Sequence, residues 1–172
     1  LAVLLAAAVL PYFIGLGDSA IWDANEAFYV ETPREMIERG DYIFPTFNYE
    51  PRLNKPVLSY WIVAGFYKVF GVSVAVQRVP IALGAIVMIV TAGFLGWLAA
   101  SGASGRGSPQ IHAFLWAMVG LAIAPRLVML ARRVFIDVYI SMFMALTLLC
   151  FAAAERYPAR RRLAPFLADD AV

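Results

Sequence analysis

The residues whose types and spacing suit chemistry gather in one interval, Trp22 to Trp61, which reads WDANEAFYVETPREMIERGDYIFPTFNYEPRLNKPVLSYW. It holds Asp23, Glu26, Glu31, Glu35, Glu38, Asp41 and Glu50, with Arg34, Arg39, Arg52 and Lys55, and a row of aromatic side chains. Asp23 and Glu26 are three residues apart and would share one face of a helix. A carboxylate in such a place takes a proton from an attacking hydroxyl or amine, the more readily when burial or a second acid raises its pKa. A second set follows later in the chain, where Arg126, Arg132 and Arg133 precede Asp137. Arginines there suit either headgroup anchoring or the binding of an anion, and the accompanying Asp137 favours the anion.

These residues must be held by apolar elements. Hydrophobic residues make up 62% of the 172-residue chain, charged residues 15%, and mean hydropathy is +0.74. Soluble domains run at about 45–50% apolar and about 25% charged, so the composition is that of an integral membrane protein. A net charge of +2, with no basic face or tail, is too small to argue for a nucleic-acid binder. The single cysteine, Cys150, lies in an apolar run and reads as a small buried hydrophobe. His112 has no second histidine nearby and reads as a packing or interfacial residue rather than a metal ligand.

Taken in order, residues 1–16 form an apolar run kinked by Pro11 and short of the about 20 residues a span needs. With no basic leader and no small-residue cleavage site, this run reads as a first transmembrane helix missing its beginning. The whole chain reads as the N-terminal part of something longer. Residues 17–79 form a long polar loop with helices of its own. Thr32-Pro33-Arg34-Glu35 combines a cap, a first-turn proline and a capping-box acid, with Gly40 as the stop. Residues 24–31 form a further helix, separate or continuous through Pro33. Residues 44–52 read as an ordered loop between Pro45 and Pro51. The run from Pro56 to Gly71 is about 14 residues, rich in aromatics, and suits an interfacial helix. Further spans are expected at 80–100, 110–124 and 135–154, with a Gly/Ser-rich turn at 101–109. The expected architecture is thus an all-α polytopic membrane protein with about four spans and outer interfacial helices. The arginines at 156, 160, 161 and 162 mark the cytoplasmic side, which puts the 17–79 loop and the 125–134 turn on the opposite face.

The order Asn25-Glu26, Tyr29-Val30-Glu31, Arg34-Glu35-Met36, Gly40-Asp41, Pro45, Asn48, Lys55-Pro56, Tyr60-Trp61 resembles the first outer loop of the polyprenyl-phosphate-sugar glycosyltransferases of the GT-C fold. The bacterial aminoarabinose (lipid A) transferase type and the protein mannosyltransferases are the nearest in pattern. Arg78 with Pro80, and Ala131-Arg132 followed by Asp137, fit further parts of that pattern. The resemblance implies an enzyme of the bacterial inner membrane that moves a sugar from a polyprenyl-phosphate donor to a lipid, glycan or protein acceptor on the extracytoplasmic face. In that family an Asp-Glu pair opens the loop and the Asp is the base. Here the pair is Asn25-Glu26, and asparagine is no base, so the role falls to Glu26 or to Asp23. Lys55 matches the family's Lys-Pro position and is assigned to the donor phosphate; Arg132 is a second cation for it, and Asp137 orients the site or pairs with an arginine. Tyr29, Tyr49, Tyr60 and Trp61 suit either stacking on sugar or an interfacial aromatic belt. A divalent metal is compatible with the family, although Asn54 replaces a position that is often acidic. A lipid-linked sugar transporter and a non-catalytic membrane subunit are the rival readings.

Overall fold

The computed structural model describes residues 2–21, 24–101 and 109–156. The Gly/Ser-rich turn and the arginines beyond Arg156 therefore lie outside the described residues. An apolar helix α1 (Ala2–Val9) continues as a single 3-10 turn (Leu10–Tyr12). Then come α2 (Ala24–Arg39), a two-stranded hairpin of β1 (Thr46–Phe47) and β2 (Glu50–Pro51), and α3 (Leu58–Phe70). Next are α4 (Val74–Ala100), α5 (Pro109–Ala122), α6 (Pro125–Ala131) and α7 (Asp137–Arg156). The architecture is all-α apart from the hairpin. Helices α4 and α7 are each long and apolar enough to cross a membrane. The α5–α6 pair amounts to a third crossing if taken as one span bent by 65°.

Each helix boundary has a local cause. Gly40 and Gly71 end α2 and α3 with φ of +68° and +82°, a region that suits glycine. Ser73 caps α4, its hydroxyl accepting from Val76 N–H at 3.2 Å. Pro125 lacks the N–H that would continue α5, and the chain bends there. α4 starts six residues earlier than the expected 80–100 span, which carries Pro80 and Arg78 into its first turns.

Two expectations are corrected. Thr32 does not cap a helix. It lies buried inside α2, which runs unbroken through Pro33, because that face packs against α3. Cys150 is exposed rather than buried, since α7 keeps most of its surface away from the other described helices.

The core runs along α4, which packs on α5 and α7. Glycines permit the close approach: a Cβ at Gly96 would meet the Ala113 carbonyl oxygen at 2.7 Å, and one at Gly93 would meet Met118 Cγ at 2.7 Å. At one end of this bundle α2, the hairpin and α3 form a cap. Asn48 and Tyr49 turn the hairpin with φ of +51° and +63°, the sign a two-residue turn of the primed kind requires. Glu35, fully buried in α2, accepts from the Thr46 hydroxyl at 2.5 Å and from Tyr49 N–H at 3.2 Å, so the hairpin is fastened to the helix. On the outer side of α2, Arg34 bridges Glu31 and Glu38 at 2.6 and 3.1 Å, the salt-bridged face expected from their spacing.

Candidate active site

The first turn of α2 carries Asn25 and Glu26. Glu26 has no exposed surface, and α4 supplies its partner. Arg78 Nε donates to one carboxylate oxygen at 2.8 Å and Nη2 to the other at 3.2 Å. The same guanidinium donates from Nη1 to the carbonyls of Leu16 (2.8 Å) and Ser19 (3.0 Å) and to the Ser19 hydroxyl (2.9 Å), and from Nη2 to the Ala20 carbonyl (3.0 Å). A buried charge pair is tolerated only with its lone pairs and protons satisfied, and here they are. Arg133 Nη1 approaches the Glu26 carboxylate at 3.8 Å. Glu26 is thus enclosed by arginines. Asp23 lies outside the described residues.

One turn further along α2, Tyr29 packs on Tyr60 of α3, ring centroids 5.9 Å apart. Arg52, just after the hairpin, lays its guanidinium 3.5 Å over the Phe28 ring, and Phe47 meets Phe28 edge-on at 4.6 Å. Burial pushes the Tyr60 hydroxyl above its usual pKa, partly offset by Arg52 and then Lys55 nearby. Burial likewise raises Tyr29, with the Asp137 carboxylate adding to the rise and Arg52 opposing it. Both phenols therefore stay protonated at neutral pH. The Tyr60 hydroxyl lies beside the Arg52 guanidinium, which is its main polar neighbour.

Beside this cluster lies an apolar slot of about 120 Å³ between the start of α3 and the start of α7, lined by Pro56, Ser59, Ile136, Tyr139 and Phe143 among others. Pro56 and Ile136 adjoin Lys55 and Asp137 in sequence, and both charges act on the tyrosine pair, Lys55 lowering the Tyr60 pKa and Asp137 raising that of Tyr29. Lys55 and Asp137 are both exposed. The sum is a cation, an acid, a tyrosine pair and an apolar slot at one end of a membrane bundle.

Arg132 stands elsewhere. It closes the end of the first helix, donating to the carbonyls of Pro11, Ile14 (2.8 Å) and Gly15 (3.5 Å). Of the residues singled out from sequence, Lys55 and Asp137 act electrostatically on the Tyr29–Tyr60 pair, whereas Glu26 and Arg132 lie in an arginine-rich neighbourhood. Tyr49 and Trp61 are exposed, and their polar atoms go to Glu38 and to the Tyr42 carbonyl. Arg52 was missed. Its only signal was its place three residues before Lys55 in a loop already rich in aromatics. Among the described residues no three His, Cys, Asp or Glu side chains are grouped to hold a metal ion.

The fold and this site define a polytopic all-α membrane protein with a polar cap built on its first loop. A family model described as dolichyl-phosphate-mannose-protein mannosyltransferase matches residues 2–167, and the chain belongs to that family. It is 47% identical over 62 residues to an uncharacterized protein of Aquifex aeolicus (strain VF5), covering 36% of this chain and 12% of that one. Proteins named undecaprenyl phosphate-alpha-4-amino-4-deoxy-L-arabinose arabinosyl transferase also match. That of Shewanella sediminis is 36% identical over 63 residues, covering 37% of this chain and 12% of its own. That of Pseudomonas savastanoi pv. phaseolicola is 34% identical over 82 residues, covering 48% and 15%. These matches span less than a sixth of those relatives' length. No solved structure matches.

Proposed function

We propose that the chain forms part of a glycosyltransferase that takes a sugar from a polyprenyl-phosphate donor. The transfer occurs at the extracytoplasmic face of a bacterial inner membrane, onto a lipid, glycan or protein acceptor. The Tyr29–Tyr60 pair, with the Lys55 charge acting on one ring and the Asp137 charge on the other, next to an apolar slot lined by Pro56 and Ile136, is the observation that carries this reading. The slot suits the first isoprenoid carbons of the donor. Lys55, with Arg52 behind it, neutralises the phosphate as charge develops on the leaving oxygen. The tyrosines suit the sugar face, with the Tyr60 hydroxyl as hydrogen-bond donor. Asp137 is the base: it takes the acceptor's proton as the acceptor oxygen or nitrogen bonds to the anomeric carbon. The bond from that carbon to the phosphate oxygen breaks, and the lipid phosphate leaves with the electron pair. A single displacement of this kind inverts the anomeric configuration. Glu26, enclosed and paired with Arg78, is a positioning residue that fixes the start of α2.

The test is transfer of labelled sugar from a polyprenyl-phosphate pool by the full-length protein in membranes. Asp137→Asn should lower transfer by roughly 10²–10⁴ with donor binding retained, the range for loss of a general base. Lys55→Gln should weaken donor binding first. Collapse in Asp23→Asn, with Asp137→Asn within a few-fold of wild type, would move the base to Asp23. A product that keeps the donor's anomeric configuration would overturn the single displacement.

A further inference from the structure

α3 carries a groove on a face that shares no lining residue with the slot beside Pro56. It measures about 350 Å³ and is lined by Tyr42, Trp61, Ala64, Gly65 and Lys68. That is within the usual size of a ligand site, about 300–1,000 Å³. Glycine makes the groove. A Cβ at Gly65 would meet no atom within 4 Å, so the space stays open between Trp61 and Lys68, one helical turn to either side. One wall is rigid: Trp61 Nε1 donates to the Tyr42 carbonyl at 2.6 Å, which fixes the indole while leaving the residue 46% exposed. The other wall carries a charge. The Lys68 ammonium lies 4.4 Å from the Tyr42 ring centroid, a cation–π contact that uses no hydrogen-bond acceptor. Among the described residues Lys68 has neither a hydrogen bond nor an ion pair, so its N–H groups are available. The acid next to Tyr42 in the chain, Asp41, is already held by Arg39 at 3.6 Å and by the N–H groups of Ile43 and Phe44. The groove therefore keeps one uncompensated positive charge.

Its position decides what faces it. α3 ends at Phe70, and α4, long and apolar enough to cross a membrane, begins at Val74. Tyr67 ties the two helices together, its hydroxyl donating to the Gln77 side chain at 2.9 Å. Val69, Phe70 and Val72, at this junction, are all exposed. Apolar side chains exposed where a crossing helix starts face lipid, at the level where Trp, Tyr and Lys sit among the headgroups. From this combination we infer that the groove holds one anionic phospholipid, its phosphate on Lys68 and its glycerol and first acyl carbons over Gly65 against Trp61. A sugar ring needs several hydrogen-bond partners, and the lining offers few: the Trp61 N–H is already used, and Ala64 and Gly65 have no polar side chain. The inference concerns a bound lipid and does not depend on sugar transfer.

The test is native mass spectrometry of the full-length protein released from nanodiscs of equal phosphatidylglycerol and phosphatidylcholine. Wild type should keep phosphatidylglycerol in preference. Lys68→Gln, at an exposed position in the last turn of α3, should lower that preference roughly fivefold, the effect of one lysine at an anionic surface. Gly65→Leu keeps every charge, and leucine suits a helix better than glycine, so this variant should fold. By filling the groove it should lower phosphatidylglycerol retention by roughly the same factor. Equal retention of both lipids by wild type, as when the rest of the full-length chain covers the groove, would overturn the inference. So would retention unchanged in Gly65→Leu, even with a fall in Lys68→Gln, because that pair of results describes diffuse attraction of a cation to an anionic surface rather than a lipid held in the groove.

Discussion

Single residues here are set by their immediate donors and charges. Asp41 follows the Gly40 stop of α2 and accepts from the backbone N–H groups of Ile43 (2.9 Å) and Phe44 (3.1 Å), with Arg39 at 3.6 Å. Those donors hold its pKa below the usual carboxylate range, the Ile43 bond contributing most. The sign follows. A carboxylate whose folded pKa is depressed adds stability above its unfolded value, near 3.9, and loses it as pH falls through the folded one. Thermal melts of the detergent-solubilised protein should therefore decline below about pH 4, and Asp41→Asn should remove that part of the decline while leaving neutral-pH melting nearly unchanged. The Asp41 side chain is 32% exposed and its partners are screened by solvent, so the effect is a change of slope rather than a large loss. The neighbouring tyrosines behave oppositely: Tyr29 and Tyr60 are raised by burial and stay neutral donors beyond their ordinary range.

Elements meet through glycine or are punctuated by proline. In α4, Gly96 lies so close to α5 that a methyl would press on a backbone carbonyl oxygen at 2.7 Å, which has no rotamer by which to give way. Gly65 in α3 has open space around its missing side chain. Gly96→Ala should therefore cost about 1–3 kcal/mol through overpacking, and Gly65→Ala should add about 0.5–1 kcal/mol through helix propensity. Melting temperatures of the two variants should move in opposite directions; a fall for both would show that α3 needs its glycine for something other than space. Pro33 within α2 removes the N–H that would bond to the Tyr29 carbonyl, which places a break in the helix ladder at a residue of the candidate site.

At the scale of the whole molecule, one buried guanidinium joins separate parts of the chain. Arg78 connects α4 to Glu26 in α2 and to the segment that leaves the first helix. Tyr12 adds a second tie, its hydroxyl donating to the Ala122 carbonyl at 2.9 Å where α5 breaks. Glu26→Gln leaves Arg78 charged and uncompensated in the interior and should cost about 3–5 kcal/mol. Replacing both, Glu26→Gln with Arg78→Met, should cost less than the two single changes added together, since each single variant includes the cost of a stranded partner. Melting of the four proteins in a cycle measures this. Strict additivity would mean that the pair is not coupled as its 2.8 Å geometry requires.

How much of this was legible beforehand differs by feature. Composition alone required a membrane protein, because an apolar share of 62% leaves no soluble alternative of this length. The glycine stops at 40 and 71 follow from local backbone sterics, and the long apolar runs from bilayer thickness; both are properties of neighbouring residues. The order of residues from Asn25 to Trp61 was enough to point to the family that a match over residues 2–167 then showed. Pairings across long sequence separations were not legible. Glu26 and Arg78 are 52 residues apart, and Arg132 and Ile14 are 118 apart. No periodicity encodes which acid an arginine will meet. Thr32-Pro33 carried a sound local signal for a helix start, and packing against α3 overrode it. The sequence by itself determined that there is a membrane bundle with a polar first loop. Only the tertiary structure decided that Glu26 is enclosed while the charges of Lys55 and Asp137 act on the Tyr29–Tyr60 pair, because burial and charge pairing depend on which helices touch.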